Sequence, residues 1–171
     1  MKPDLDHRAL RALLDYDLDT GIFTWRERPD NVRFNTRFAG QRAGWVHRHD
    51  GNARLYIRIF GYAFEAHRLA HLYMTGSWPA LEIDHIDCDG LNNQWRNLRE
   101  ATRSQNERNK RAHRDNKLGI KGVSKFRGKY RAVIHVDGKQ RYLGSFDTEE
   151  NAHAAFSAAM SLHFPQFGRA E

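Results

Sequence analysis

The sequence predicts an α+β protein in which short antiparallel strands and helices form two small modules. Alternating apolar residues mark strands over Arg54 to Phe60 and Tyr130 to Val136, and the turn Asp137-Gly138 after the second is typical of a hairpin. Apolar residues at helical spacing lie over 66–75 and after Asp147-Thr148. A chain of 171 residues accommodates one domain or two small ones, each with a modest core.

The first sixty residues are interpreted as structural support for the later elements. Asp6 is placed to cap a helix over 7–16, and Ile22 to Trp25 is a short strand after an Asp-Thr-Gly turn. Residues 26–50 have no clear period and predict a loop or irregular strands. Six arginines in this stretch either contact phosphate or face solvent, and the sequence favours neither: Arg26, Arg28, Arg33, Arg37, Arg42 and Arg48.

A helix over 66–75 comes next, with Gly76 as its C-terminal cap. His67 and His71 are four residues apart on it, but no acidic or cysteine partner accompanies them. We expect His67 to pack beneath the following hairpin and to hydrogen-bond a backbone carbonyl, in preference to a metal role.

The stretch from Ile83 to Asn106 contains side chains that are able to bind a metal ion or accept a proton. Asp84 and His85 end a short apolar strand, and Asp89-Gly90 predicts a tight turn. A second strand over 96–99 and a helix from Thr102 are expected to follow. Carboxylate and amide oxygens suit magnesium, manganese or calcium, and a neutral histidine accepts a proton from water. Together they would make a phosphodiester hydrolase, whereas an isolated Asp-His pair is more often a turn cap and a buried histidine.

The motifs in this stretch resemble a known family. They are His67-Arg68-Leu69, Ile83 to Asp87, Leu91-Asn92-Asn93, Asn97-Leu98 and Thr102 to Asn106, and they resemble the phage and intron HNH endonucleases of the ββα-metal fold over residues 60–112. The resemblance implies that Asp84 and Asn106 hold one divalent metal ion, magnesium or manganese. It also implies that His85 is the general base and that Asn97 orients the loop and the histidine. Asn106 stands where the motif's third letter would be His. Some relatives carry a zinc ion on four cysteines, which the single cysteine, Cys88, excludes here.

Composition and charge indicate a nucleic-acid partner. The net charge is +7 and the pI is near 9.8, and residues 117–146 contain eight basic residues against one acid. No apolar run approaches the ~20 residues that cross a bilayer, the N-terminus lacks the features of a signal peptide, and a single cysteine suits a reducing compartment. We therefore expect a cytoplasmic protein of a bacterium or phage-infected cell, with no membrane partner.

A second resemblance covers residues 118–165. The patterns Gly-Lys-Tyr-Arg-Ala and Tyr-Leu-Gly-Ser-Phe-Asp-Thr-Glu-Glu-Asn-Ala resemble the Apetala-type (ethylene-response-factor) DNA-binding domain, which is a three-stranded antiparallel sheet packed on one helix. Strands are expected over 119–123, 130–136 and 140–146. The resemblance implies that the sheet enters the major groove of DNA. The predicted organisation is a nuclease module at 1–112, a basic linker at 113–117 and this domain at 118–171.

Period-two geometry selects the outward face of that sheet. Ala132, Ile134 and Leu143 should face the helix, and Val133 should face outward beside polar residues. Basic side chains in 99–116, which holds six basic against three acidic residues, add to the surface. The predicted DNA-binding residues are Lys121, Ser124, Lys125, Arg127, Arg131, His135, Gln140, Tyr142, Arg103 and Arg108.

The sequence therefore predicts a metal-dependent endonuclease that acts on double-stranded DNA as a monomer, which would nick one strand at a time. The competing interpretation is a non-catalytic DNA-binding regulator with a decayed nuclease core. Binding to structured RNA ranks last, because the sequence does not indicate an exposed aromatic pair on the sheet.

Overall fold

The computed structural model describes residues 5–49, 51–110, 116 and 118–167. The chain divides into two compact units, Met1–Thr102 and Arg103–Glu171. This division falls before the predicted boundary at 112, and most of the predicted linker lies outside the described residues, so the domain limits stay predictions. No helix in the described ranges is long and apolar enough to span a membrane.

The first unit begins with a helix, α1 (His7–Leu13), and a hairpin of β1 (Leu14–Asp17) and β2 (Ile22–Trp25). Asp6 caps α1 as expected, and its Oδ1 accepts the Ala9 N–H at 2.7 Å. The predicted helix over 7–16 was too long, because Leu14 is already extended and pairs with Trp25. Leu14 and Tyr16 then point into the core with the strand's period of two.

The stretch predicted as a loop or irregular strands contains a helix, α2 (Val32–Phe38), and a strand, β3 (Trp45–His49). Asn31 caps α2 by accepting the Phe34 N–H at 2.9 Å. Neither element has a buried residue, so neither carries the apolar period by which a sequence reveals a helix or a strand. This is the physical reason why the sequence did not predict the helix α2.

A three-stranded antiparallel sheet follows, in the order β3, β4 (Asn52–Ile59), β5 (Tyr62–Glu65). The predicted inward face of β4 is confirmed, since Leu55, Ile57 and Ile59 are buried. The helix α3 (Ala66–Thr75) has the predicted bounds, and Gly76 ends it with a positive φ of 81°. Helix α3 packs against α1 and β4 around the core of this unit.

The first unit ends in a two-stranded antiparallel sheet, β6 (Glu82–His85) and β7 (Leu98–Ala101). The second strand starts later than predicted, because Trp95–Asn97 forms a 3₁₀ turn before it. The connection 86–97 between the strands is a long loop, and the predicted turn at Asp89-Gly90 lies within it, where the Asn92 N–H donates to the Asp89 carbonyl at 3.0 Å. The β1–β2 hairpin supports this loop: the Tyr16 hydroxyl donates to the Asn93 carbonyl at 2.6 Å, and the Trp95 N–H donates to the Leu18 carbonyl at 2.9 Å.

The second unit consists of α4 (Arg103–Asn109), a sheet in the order β10 (Lys139–Phe146), β9 (Lys129–Val136), β8 (Val123–Phe126), and α5 (Glu149–His163). The three-stranded sheet packed on one helix agrees with the sequence prediction, and Ala132, Ile134 and Phe156 lie in its core. The first strand was misplaced at 119–123. Gly119 and Gly122 both adopt positive φ, 68° and 72°, which a strand does not allow.

Gly21 tests the support that the β1–β2 hairpin gives to the 86–97 loop. Its φ is +72°, and a Cβ there would overlap the Asn93 carbonyl carbon. Gly40 has nearly the same φ, +74°, with nothing within 4 Å of its virtual Cβ. Urea unfolding should show a cost of about 1 kcal/mol for Gly40→Ala, from backbone strain alone, and at least about 3 kcal/mol for Gly21→Ala. Equal costs would mean that the hairpin and the loop are not in close contact.

Candidate active site

The strand pairing of β6 with β7 brings Asp84 and His85 to the centre of the first unit. Asp84 lies opposite Arg99 and His85 lies opposite Leu98 in the antiparallel register. Both side chains are almost fully enclosed, with exposed fractions of 4% for Asp84 and 6% for His85. A buried carboxylate next to a buried imidazole needs specific partners, because burial without them costs several kcal/mol.

Asn97 holds the 86–97 loop closed through Asp87. Its amide Nδ2 donates to Asp87 Oδ1 at 2.9 Å and to the Asn92 carbonyl at 2.8 Å, and its Oδ1 accepts the Asp87 N–H at 3.1 Å. Asn92 Nδ2 donates to the other carboxylate oxygen of Asp87 at 2.7 Å. Asp87 in turn accepts the Asp89 N–H at 2.8 Å. These side-chain bonds, which the sequence did not predict, fold the long loop around the turn at Asp89-Gly90.

The histidine itself is oriented by Asn93 and not by the Asn97 side chain. His85 Nε2 lies 3.1 Å from Asn93 Oδ1. An amide oxygen only accepts, so Nε2 is the protonated nitrogen and Nδ1 has the lone pair. Asn93 is buried, and its carbonyl is held by Tyr16 from the supporting hairpin. The basic nitrogen of His85 is therefore Nδ1.

Burial keeps this imidazole neutral. Desolvation lowers the pKa of His85 below its usual value of 6.5, the positive charge of Arg54 lowers it further, and the hydrogen bond with Asn93 opposes them. His67 is buried in α3 with its ring centroid 5.1 Å from that of His85, and its Nε2 lies 3.6 Å from Glu65 Oε2. Burial, His85 and Arg54 lower the pKa of His67 to about 2. His67 thus packs against His85, with a carboxylate as its polar neighbour where a backbone carbonyl was expected.

Asp84 forms an ion pair with Arg99. Arg99 Nε lies 2.8 Å and the Arg99 terminal nitrogen NH2 lies 2.7 Å from the same oxygen, Oδ2. The two residues meet because they are directly opposed across β6 and β7. Arg99 remains accessible from outside, with 21% of its side chain exposed. The pair has the short geometry of a charge-assisted hydrogen bond.

Asn106 lies in α4, in the second unit. Its place beside Asp84 stays a prediction. In the described part of the chain, no three His, Cys, Asp or Glu side chains are grouped to hold a metal ion. The predicted ligand set requires only one carboxylate, one amide oxygen and water.

The predicted DNA-binding residues of the sheet fall into two groups. The strand register puts Ser124 opposite Arg131, Gln140 opposite His135 and Tyr142 opposite Val133, so these side chains share the outward face. Arg127 lies in the turn beside this face, with a positive φ of 49°. We define the outward face of this sheet as Ser124, Phe126, Arg131, Val133, His135, Gln140 and Tyr142.

Lys125 and Lys121 lie elsewhere. Lys125 is paired with Tyr130, whose side chain packs on the helix side of the sheet, so period two sets Lys125 on that side. Lys121 Nζ donates to the carbonyls of Glu107, Arg108 and Lys110, at 3.2, 2.6 and 2.8 Å. It therefore binds the C-terminal end of α4, where a helix attracts positive charge.

The two arginines predicted in α4 differ in their surroundings. Arg103 is exposed at the start of the helix. The Arg108 guanidinium lies 4.1 Å from the centre of the Phe164 ring, a cation–π contact within the second unit.

Sequence reasoning missed three residues of the site and one of the sheet. Asn93 and Arg99 stood inside or beside the recognised motifs, but nothing in their spacing shows which side chain they meet. Asp87 ended the motif Ile83 to Asp87 and was assigned no role of its own. Phe126 was overlooked, although alternation from the buried Val123 predicts that it lies near the outward face. Phe126 and Tyr142 are 53% and 62% exposed. The expected lack of an exposed aromatic pair on the sheet was therefore wrong.

The first unit places a buried histidine next to a buried carboxylate, and comparison with known proteins relates this region to a nuclease family. Residues 64–108 match the HNH endonuclease family. An uncharacterised HNH endonuclease of Acanthamoeba polyphaga mimivirus is 32% identical over 105 residues, which cover 60% of this chain and 54% of that protein. Protein 3.8 of Escherichia phage T7 is 36% identical over 89 residues, which cover 51% of this chain and 73% of that protein.

The chain therefore contains a segment, residues 64–108, that matches HNH endonucleases, and the two viral proteins are similar to it. The chain spans about half the length of the first relative and about three quarters of the second. No solved structure matches it.

The two buried histidines predict sensitivity to acid. Below pH 6.5 the unfolded chain binds a proton at His67 that the folded protein, with its pKa near 2, does not bind. The folded state therefore loses stability as the pH falls, by about 2 kcal/mol from this residue between pH 7 and pH 5. Urea unfolding at both values measures this slope. His67→Gln should flatten it, whereas His163→Gln, at an exposed position, should leave it unchanged. An unaltered slope in His67→Gln would contradict the assignment.

Proposed function

We propose that this protein is a metal-dependent endonuclease that hydrolyses phosphodiester bonds in double-stranded DNA. The observation that carries the proposal is the buried, neutral His85, fixed through Nε2 on Asn93 and lying next to the Asp84 carboxylate. A base that is unprotonated at neutral pH, with one nitrogen fixed and the lone pair on the other, is suited to activate water. The match of residues 64–108 to HNH endonucleases supports the same reaction class.

The proposed metal ligands are Asp84 and Asn106, with water completing the coordination of magnesium or manganese. Carboxylate and amide oxygens are the hard donors that these ions prefer. The Asp84 carboxylate suits a cation, because its Oδ2 already binds the guanidinium of Arg99 at 2.7 Å. When bound, the ion would neutralise charge on the phosphoryl oxygens and the leaving oxygen.

Residues of the chain then accept the proton that the attacking water releases. His85 Nδ1 takes a proton from water, and the resulting hydroxide attacks phosphorus as the bond from phosphorus to the leaving oxygen breaks. Asn93 retains its bond to Nε2–H throughout and so keeps the ring in place. Asn97 acts through the loop, because it fixes Asp87 and Asn92 on either side of the turn. Asn97 is thus a positioning residue in this proposal.

The second unit is proposed as an Apetala-type DNA-binding domain at 118–171, following a nuclease module at 1–112 and a linker at 113–117. Its outward face combines Arg131, His135 and Gln140 with exposed aromatic rings. Arginine and glutamine read guanine and adenine edges in the major groove. We include Arg127, Arg103 and Arg108 as phosphate contacts, and we regard Lys121 as the weakest member of the predicted set because of its bonds to α4.

Cleavage of supercoiled plasmid in the presence of Mg²⁺ tests the reaction. Asp84→Ala, His85→Ala and Asn106→Ala should each reduce the rate at least about 100-fold, because each removes a group that acts on the reacting atoms. Binding of duplex DNA should persist. The matched control is His163→Ala, which removes an exposed histidine of the second unit and should cleave like the unaltered protein.

The same assay separates the proposal from the competing function, a DNA-binding regulator with a decayed core. A chelator should stop cleavage, and added Mg²⁺ should restore it. Duplex binding without cleavage at any divalent metal concentration would favour the regulator. Full activity of His85→Ala would remove His85 as the base.

Salt dependence of binding tests the outward face of the sheet. Arg131→Ala should weaken duplex binding and lower the slope of log affinity against log salt by about one. Arg141→Ala is the matched control, because Arg141 pairs with the buried Ile134 and so lies on the helix side of the same sheet. Equal losses from both variants would show that charge alone, and not this face, determines binding. Tighter binding of structured RNA than of duplex DNA would contradict the DNA assignment.

A further inference from the structure

Arg99 and an incoming metal ion require the same carboxylate. Two nitrogens of Arg99 contact Asp84 Oδ2, at 2.8 and 2.7 Å, and the Asp84 side chain is buried. A carboxylate that already has a cation at hydrogen-bond distance is a weaker ligand for a second cation. The charge of Arg99 also repels a divalent ion within a few ångströms, and this repulsion is only partly screened at a buried site.

Neighbouring carboxylates already have partners. Glu65 Oε2 lies 3.6 Å from His67 Nε2, and Asp87 accepts N–H donors from Asp89, Asn92 and Asn97. A divalent ion entering the DNA-free protein would therefore lie beside an arginine that already neutralises the Asp84 carboxylate.

A DNA phosphate supplies the missing negative charge. The planar guanidinium of arginine matches phosphate oxygens as well as it matches a carboxylate. Arg99 is partly exposed, whereas Asp84 is not, so the arginine is the member of the pair that a phosphate can reach. Transfer of Arg99 from Asp84 to phosphate would at once open the carboxylate and neutralise the arginine.

We propose that Arg99 occupies Asp84 in the absence of DNA and moves to the scissile phosphate when DNA binds, so that metal and DNA bind with positive cooperativity. This rests on the proposed function, in which Asp84 is a metal ligand. Arg99 is then a residue that contacts substrate and also prevents tight metal binding to the DNA-free protein. By reciprocity, metal should strengthen DNA binding by the same factor.

Mn²⁺ binding to the full-length protein, measured by the electron paramagnetic resonance signal of the free ion, tests this proposal. Without DNA, Arg99→Met should bind Mn²⁺ at least about tenfold more tightly, since it removes the competing charge but retains a long side chain. Arg99→Lys keeps the charge and should stay near the unaltered protein. Arg96→Met is the matched control, because Arg96 is exposed on the same segment and donates to Gln94.

The opposite result would indicate a purely structural role for the arginine. If Arg99 only orients Asp84, Arg99→Met should weaken Mn²⁺ binding, as loss of a residue behind a metal ligand usually does. Weaker or equal binding overturns the proposal while leaving the proposed function intact. Loss of Mn²⁺ binding in Asp84→Ala is the evidence that the measured ion is at this site.

A second measurement does not depend on the folding of Arg99→Met. In a His85→Ala background, which prevents cleavage, addition of duplex DNA should raise Mn²⁺ affinity at least about tenfold. No gain with DNA would overturn the coupling. Mn²⁺ binding that is the same in Asp84→Ala, with or without DNA, would overturn the metal site itself and with it the proposed function.

Discussion

The hydrogen bond between His85 Nε2 and Asn93 Oδ1 is the interaction on which the candidate site depends. It determines which nitrogen has the proton, and so which nitrogen can act as base. It lasts only while Asn93 is held still. The Tyr16 hydroxyl on its carbonyl and the close approach of Gly21 to its backbone do this. The N-terminal hairpin, far from the site in sequence, therefore helps to fix the geometry of the candidate site.

The loop and the histidine are organised by different asparagines. Asn97 closes the loop on Asp87, and Asn93, within the loop, contacts the ring. Because Asn97 fixes the loop and Asn93 orients the ring, a change at Asn97 would act on His85 only through the backbone. The 2.9 Å bond from the Ile86 N–H to the Asn97 carbonyl provides that connection. Such layered support is what a buried polar site requires, because each unsatisfied group in it is costly.

The sequence predicted the fold best where burial of one face gives the apolar residues a regular spacing. The inward face of β4, the bounds of α3 and the hairpin at Asp137-Gly138 follow from alternation, helical spacing and turn chemistry. It failed where elements are exposed, as in α2, and where side chains fold a loop, as Asp87 does with Asn92 and Asn97. Asp84, His85 and Asn97 could be named from the motifs. Their partners could not, because Arg99 meets Asp84 only through strand register, which the misplaced second strand obscured.

The outward face of the sheet and the buried site differ in their electrostatics. The sheet exposes arginine beside aromatic rings, a combination suited to a polyanion. The site instead pairs its carboxylate internally with Arg99 and holds its histidines neutral, so in the proposed function it has little net attraction for an isolated metal ion. Hydrolysis would then depend on a phosphate reaching Arg99, whereas binding through the sheet would not.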